Sequence, residues 1–394
     1  MDVLIALGCP YFPSTGGAVK VTRTIAEELV RRGHRVRVLA LGRARVERGA
    51  SLRDFLDRLD AAGIRATATE QGVDFDLNGV EVRAIDGAFR IAGELSAEIR
   101  KMDPDWIFLQ TEDFRCMLLN AALEIAPERT VYFAHSTVQL PLGPDSADPR
   151  AEGARIFQRL RHVIAPSRWV ASYVREHTGI EAHVVYAIAE VFGRPPFPSY
   201  GRHDAGSVMM INACGLKGLP IFLELAEARP NLPFSAVKSW GTTPADLAAL
   251  ERLPNVRALD PSPDVDSFYS QARVLLVPSL WTETFGLIVI EAMLRGIPVL
   301  AADNGGLPEA ALGVSPTLPV RKISRYTTHA GVPVAADEIA EQDVGPWLEA
   351  LDRVLEPTEY ALRSEASREA ATRWLSENGI ERLERVLESL AVNE

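Results

Sequence analysis

Val3-Leu4-Ile5-Ala6-Leu7, a segment over residues 18–32, Gly33, and Val36-Arg37-Val38-Leu39-Ala40-Leu41 follow one another at the start of the chain. The first and last runs are short, apolar and unbroken, the pattern of strands buried on both faces. Between them Val19, Thr22, Ile25, Ala26 and Leu29 recur at helical spacing, and Gly33 stops the helix. A strand–helix–strand start predicts a parallel sheet with helices on both faces. Residues 106–109, 131–133 and 163–165 read as further strands of that sheet.

The texture changes after Val191. Phe192-Gly193-Arg194-Pro195-Pro196-Phe197-Pro198-Ser199-Tyr200-Gly201 is rich in proline and glycine and has no period, as expected of an interdomain linker. The alternation then restarts, with strands expected over 208–211, 234–237, 256–259, 274–277 and 299–301. Two α/β domains of similar size follow: 1–195 and 196–370, with a C-terminal helix over 371–394. In that helix Leu383, Val386, Leu387 and Leu390 form one apolar stripe.

The 394 residues are 47% apolar and 24% charged, a soluble globular mix, and carry a net charge of −11. Such a balance argues against nucleic acid, whose phosphates require a basic face. It also weakens electrostatic attachment to anionic lipid. No apolar run approaches the ~20 residues that span a bilayer, and Met1-Asp2-Val3-Leu4-Ile5 lacks the pattern of a signal peptide. Cys9, Cys116 and Cys214 fit neither a disulfide framework nor a zinc site, so a reducing cytoplasm is expected.

Two segments carry chemistry. Pro13-Ser14-Thr15-Gly16-Gly17-Ala18 joins the first strand to the first helix, where Gly16 and Gly17 let the backbone approach an anion. It is neither a G-x-G-x-x-G fingerprint nor a Walker loop, and Ala40-Leu41-Gly42-Arg43 offers no acid for a ribose. The second segment is Pro278-Ser279-Leu280-Trp281-Thr282-Glu283-Thr284-Phe285-Gly286-Leu287-Ile288-Val289-Ile290-Glu291-Ala292-Met293. A helix is expected to begin near Gly286. Glu291 follows Glu283 by eight residues, about 800° of rotation or about 80° of offset, so both carboxylates could face one cavity. Amides near Phe285, Gly286 and Leu287 could hold a phosphate, and carboxylates suit sugar hydroxyls.

The Glu-x7-Glu pair, with Phe285-Gly286 after the first Glu and Glu291-Ala292-Met293 at the second, resembles the donor-site signature of retaining glycosyltransferases. It is most similar to glycosyltransferase family 4, of the GT-B fold. Gly296-Ile297-Pro298 and Gly305-Gly306-Leu307-Pro308-Glu309 also resemble that family. The resemblance implies two Rossmann-like parallel-sheet domains facing across a cleft, with the donor in the second and the acceptor in the first.

The resemblance also gives roles to other residues. Lys217, in Cys214-Gly215-Leu216-Lys217-Gly218, matches a lysine that neutralises the donor diphosphate. The accompanying arginine is missing, since Ile211 and Asn212 stand nearby; Lys238 is a candidate substitute. His135, just past an expected strand end, matches a histidine beside the donor sugar. Glu283 would contact that sugar and Glu291 the ribose, with Thr284 part of the donor-binding segment. Glu112, Asp113 and Arg115 leave another strand end and could line the acceptor side. The implied reaction moves a sugar from a nucleotide diphosphate sugar, by default a UDP sugar, to a small soluble acceptor. It proceeds with retention and without a metal or further cofactor. A nucleotide-sugar epimerase and a non-catalytic sugar-nucleotide binder on the same fold are the alternatives.

Overall fold

The computed structural model describes residues 1–14, 16–42, 52–329 and 332–392. Thr15 of the Gly16-Gly17 loop, Arg43, and residues 393–394 of the expected terminal helix lie outside the described residues.

The first sheet comprises β1 (Asp2–Ala6), β2 (Arg35–Leu41), β3 (Ala66–Ala68), β4 (Gly72–Leu77), β5 (Val80–Ile85), β6 (Trp106–Gln110), β7 (Thr130–Phe133), β8 (His162–Ala165) and β9 (His183–Val184). Their order is β3-β4-β5-β2-β1-β6-β7-β8-β9. From β5 to β9 neighbouring strands are parallel, with Val3 opposite both Val36 and Trp106. Helices α1 (Gly17–Arg31), α2 (Leu52–Ala61), α3 (Ile91–Met102), α4 (Met117–Leu123), α5 (Ala151–Phe157) and α6 (Arg168–Thr178) make the connections. The central strands are buried on both faces, so each apolar side chain contributes about 1.5–3 kcal/mol. β4 and β5 are antiparallel, a hairpin closed by Asn78 and Gly79, both at positive φ.

The second sheet is entirely parallel: β10 (Ser207–Ile211), β11 (Phe234–Val237), β12 (Val256–Leu259), β13 (Ala272–Val277), β14 (Val299–Ala302) and β15 (Thr317–Leu318), in the order β12-β11-β10-β13-β14-β15. Its helices are α7 (Leu219–Ala228), α8 (Pro244–Glu251), α9 (Asp266–Tyr269), α10 (Leu287–Leu294), α11 (Leu307–Ala310), α12 (Gly345–Val354) and α13 (Pro357–Glu377). A two-stranded ribbon, β16 (Tyr326–His329) with β17 (Val332–Ala335), and α14 (Ile380–Val392) complete the chain.

The chain forms two compact units, but not by one cut. The first unit takes Met1–Val191, Tyr326–Val334 and everything from Asn378 onward; the second takes Phe192–Arg325 and Ala335–Glu377. The expected boundaries near 195 and 370 thus give way to a chain that returns to its first unit. The cause lies in α14, whose Leu383, Leu387 and Leu390 are buried. Glu384 pairs with Arg32 and His34, and the Arg382 guanidinium donates to the Val184 carbonyl.

The proline-rich stretch is not a loose tether. Phe192 packs edge-on against Trp374, Arg368 donates to the Phe197 carbonyl, and the Tyr200 amide donates to the Arg295 carbonyl.

Candidate functional site

In the second unit the loops after β10 and β13 are built together. Amides of Leu280 and Trp281 donate to the Leu216 carbonyl at 3.1 and 2.8 Å. A Cβ on Gly218 would stand 1.9 Å from the Pro278 carbonyl oxygen, so only glycine allows this approach. Lys217 then reaches Glu283, with Nζ 2.6 Å from Oε1 and over the Trp281 ring at 5.5 Å. Ser279, fully buried, donates to the same oxygen at 2.8 Å. The Glu283 carboxylate is therefore fixed by two donors.

A third loop braces the second. Asn304 Nδ2 donates to the carbonyls of Ser279 and Trp281, and the Gly306 amide donates to the Glu283 carbonyl at 2.7 Å. Cβ atoms on Gly305 or Gly306 would strike the carbonyls of Glu283 and Thr284. Gly286, at φ 114°, then opens α10; the Val289 amide turns back to the Gly286 carbonyl at 3.0 Å, and the amides of Leu287 and Ile288 stand at the positive end of the helix dipole. Phe285 beside it is buried and stacks on Trp374. A cation, a helix start and a fixed carboxylate thus lie on contiguous loops at the carboxyl ends of β10 and β13, where open α/β sheets bind ligands.

Glu291 has different surroundings from Glu283. It is buried, and its Oε2 accepts from the Tyr269 hydroxyl at 2.9 Å. Arg295 bonds the Glu291 carbonyl, stacks over Tyr269 and pairs with Asp266. Helical spacing alone did not point to Tyr269, which comes from α9.

At the position expected to lack an arginine, Asn212 adopts positive φ (62°), and its Oδ1 accepts from the Gly241 amide at 3.2 Å. Lys238 is ion-paired with Asp260. The turn that Asn212 tethers carries Trp240, 55% exposed, with its ring 6.4 Å from that of Trp281. The sequence offered one signal for it: an aromatic three residues after an apolar strand.

In the first unit Gly16 caps α1 at φ 83°, ψ 164°, backbone reserved for glycine, and Gly17 is the first helical residue. His135 follows β7. Its ring stacks on Phe133, and its Nε2 lies 3.5 Å from the Thr22 hydroxyl. Burial pushes its pKa down to about 4, so the imidazole is neutral at pH 7. Beyond β6 the backbone is strained: Glu112, Arg115 and Cys116 have φ of 78°, 58° and 55°. The Glu112 carboxylate accepts from Gln110 Nε2 at 2.7 Å and from the Cys9 thiol at 3.7 Å. Burial lifts its pKa to about 7, against the lowering effect of these two donors.

Asp113 is engaged at the start of α4. Its two oxygens accept from the amides of Leu118 and Leu119, so it caps α4. Arg115 is exposed. Among the described residues no group of three or more His, Cys, Asp and Glu side chains could hold a metal ion, and no helix is long and apolar enough to cross a membrane.

Residues 15–188 match the profile of Glycosyltransferase Family 4, and residues 245–312 that of Glycosyl transferases group 1. A D-inositol 3-phosphate glycosyltransferase of Corynebacterium diphtheriae is 49% identical over 59 residues, 14% of either chain. One of the same name from Mycobacterium tuberculosis strain F11 is 32% identical over 114 residues, 28% of this chain and 19% of that protein. The matches thus span about a fifth or less of these relatives. Two solved structures align over the whole chain. Sucrose-phosphate synthase from Thermosynechococcus elongatus has a TM-score of 0.70 at 16% identity, covering 100% of this chain and 99% of that one. Anabaena Alr3699/HepE in complex with UDP and glucose has 0.67 at 16%, covering 100% of both.

Proposed function

We propose, from the premise that the chain is a family 4-like glycosyltransferase of the GT-B fold, that it moves a sugar from a UDP sugar to a hydroxyl of a small soluble acceptor with retention and without a metal. The observation that carries this reading is the contiguous set of Lys217, Glu283, Ser279 and the start of α10.

As the sugar–phosphate bond breaks, negative charge grows on the diphosphate and the sugar becomes oxocarbenium-like. Lys217 and the first amides of α10 would take part of the phosphate charge, a task this reading gives to the chain itself rather than to a metal. Glu283 would accept from donor-sugar hydroxyls, and Glu291, held by Tyr269, from the ribose. Exposed Trp240 would stack on the base. The neutral His135 ring would stand beside the sugar without adding positive charge. A leaving phosphate oxygen would take the acceptor proton on the face it departs from, so neither Glu283 nor Glu291 acts as nucleophile. UDP as carrier is supported by the Anabaena structure, whose ligands are UDP and glucose.

The test is calorimetric titration with UDP-glucose, followed by incubation with candidate sugar-phosphate acceptors and NMR of the product anomer. Binding in wild type, weakened about tenfold in Lys217→Ala (about 1.4 kcal/mol), and an α-linked product are expected. Unchanged binding in Lys217→Ala overturns the site. Epimerised sugar formed without acceptor overturns the transfer reaction.

A further inference from the structure

Four buried or half-buried side chains of the first unit form one chain of hydrogen bonds, of which the reaction scheme above uses only the last member: Glu112, Gln110, Thr22 and His135. They come from the loop after β6, from β6, from α1 and from the loop after β7. Gln110 and Thr22 are buried. Cys9 closes the Glu112 end, with its thiol 3.7 Å from Oε2.

The directions of these bonds can be solved from one end. An ionised carboxylate only accepts, so Gln110 must present its NH2 group to Glu112, as it does at 2.7 Å. The Gln110 amide oxygen then faces Thr22, and the Thr22 hydroxyl donates to it. A threonine hydroxyl has a single proton. Having given it to Gln110, Thr22 Oγ1 can only accept from His135 Nε2, 3.5 Å away. That contact is long, so its energy is small, but its direction is determined. A neutral imidazole carries one proton, and the contact with Thr22 is a hydrogen bond only when that proton is on Nε2.

We infer that Glu112, acting through Gln110 and Thr22, holds the His135 proton on Nε2, which makes these three positioning residues for the sugar-transfer step. His135 Nδ1 is thereby an acceptor, the character needed to take a hydrogen bond from a sugar hydroxyl. The placement of Glu112 is costly: its φ is 78°, and its carbonyl lies where a Cβ on Gly8 would be 2.3 Å away. Left-handed backbone in a non-glycine residue persists where the surroundings impose it, and such positions concentrate at functional sites.

The role of His135 in transfer rests on the proposed function; its tautomer does not. The tautomer is read by long-range 1H–15N correlation on the 15N-labelled full chain at pH 8 without ligand, with the His135 signal identified by its loss in His135→Gln. The expected result is a single neutral form protonated on Nε2. Thr22→Val should give a mixture of both tautomers, and Thr22→Ser should restore the single form. With UDP-glucose and a working acceptor, Thr22→Val and Gln110→Leu should each lower kcat about tenfold with little change in donor KM. The double variant should lose no more than either alone, because one break severs the chain.

A proton on Nδ1 in wild type overturns the inference even if glycosyl transfer is demonstrated, and it can be read if every variant misfolds. An Nε2 proton with no transfer leaves the relay standing and overturns the function. Wild-type tautomer and kcat in Thr22→Val overturn the positioning role.

Discussion

Lys217 Nζ lies 2.6 Å from Glu283 Oε1, so the cation suited to the diphosphate is held by the carboxylate suited to the sugar. Both side chains are mostly shielded from water, and the Ser279 hydroxyl fixes the carboxylate from a second side. The pair places a donor and an acceptor of hydrogen bonds side by side, matching the junction between a phosphate and a sugar. It also sets up competition, because a phosphate oxygen must share Lys217 with Glu283. Glu283→Gln should therefore bind UDP several-fold more tightly than wild type, while transfer falls about a hundredfold. UDP titration and initial rates measure the two effects; weaker UDP binding in Glu283→Gln would contradict the competition.

Two buried groups should act in opposite directions on the pH dependence of stability and nearly cancel between pH 4.5 and 6.5. His135 keeps its proton off until about pH 4, whereas the unfolded chain takes it up near 6.5. Below pH 6.5 the unfolded state therefore binds more protons, and stability is lost down to about pH 4. Glu112 is the mirror case: the folded chain holds its proton up to about pH 7, and the unfolded chain releases it near 4.5. Its contribution is fully present below pH 4.5 and is lost as pH rises to about 7. Each shift corresponds to about 3 kcal/mol. In urea unfolding from pH 4 to 8, His135→Gln should uncover a limb of falling stability between pH 4.5 and 7, and Glu112→Gln a limb of rising stability between pH 4 and 6.5. A parallel offset of the whole curve by either variant would show that the limbs arise elsewhere.

Much of this architecture was legible in the chain. Strands over 234–237 and 256–259 sit where the apolar runs put them, and others differ by a residue or two at their ends. A buried parallel strand needs a continuous apolar run, so its signal is local. The β4–β5 hairpin went unread although Asn78-Gly79 is a strong turn signal, because its flanking runs alternate with charged residues instead of staying apolar. In the site, the resemblance gave Lys217 to the diphosphate and Glu283 to the sugar, but the ion pair between them was not read from the sequence. The chain from Glu112 to His135 was not legible. Thr22 is 88 residues from Gln110 and 113 from His135 in sequence, and only the closed sheet brings them together. The capping role of Asp113 was likewise not legible, since only the position of α4 brings the Leu118 and Leu119 amides to its carboxylate.

Trp240 should govern nucleotide affinity independently of Lys217. Its ring is exposed on a turn fixed by the bond from Gly241 to Asn212, and Trp281 stands against it. Stacking of a base on such a ring is typically worth about 1–3 kcal/mol by alanine substitution. Trp240→Ala should weaken UDP binding by that amount, Trp240→Phe by much less, and neither should shift the melting temperature greatly, since the ring is in solvent. Equal UDP affinity in all three proteins would place the base elsewhere.

Gly305 should matter more to the donor site than to the fold. It sits at φ 64°, and a Cβ there would stand 2.1 Å from the Glu283 carbonyl oxygen. Gly305→Ala must therefore combine left-handed strain with displacement of the loop that orients Glu283. Gly63 separates the two effects: its φ is 71°, and a Cβ there would meet nothing within 4 Å. Both substitutions carry backbone strain of about 1–2 kcal/mol, so both should lower the urea midpoint. Only Gly305→Ala should also lose UDP-glucose affinity, because only there does the new methyl group push on the carbonyl that the Gly306 amide holds. If the two variants bind UDP-glucose equally, the Asn304-Gly305-Gly306 loop is a structural brace with no influence on how Glu283 meets the sugar.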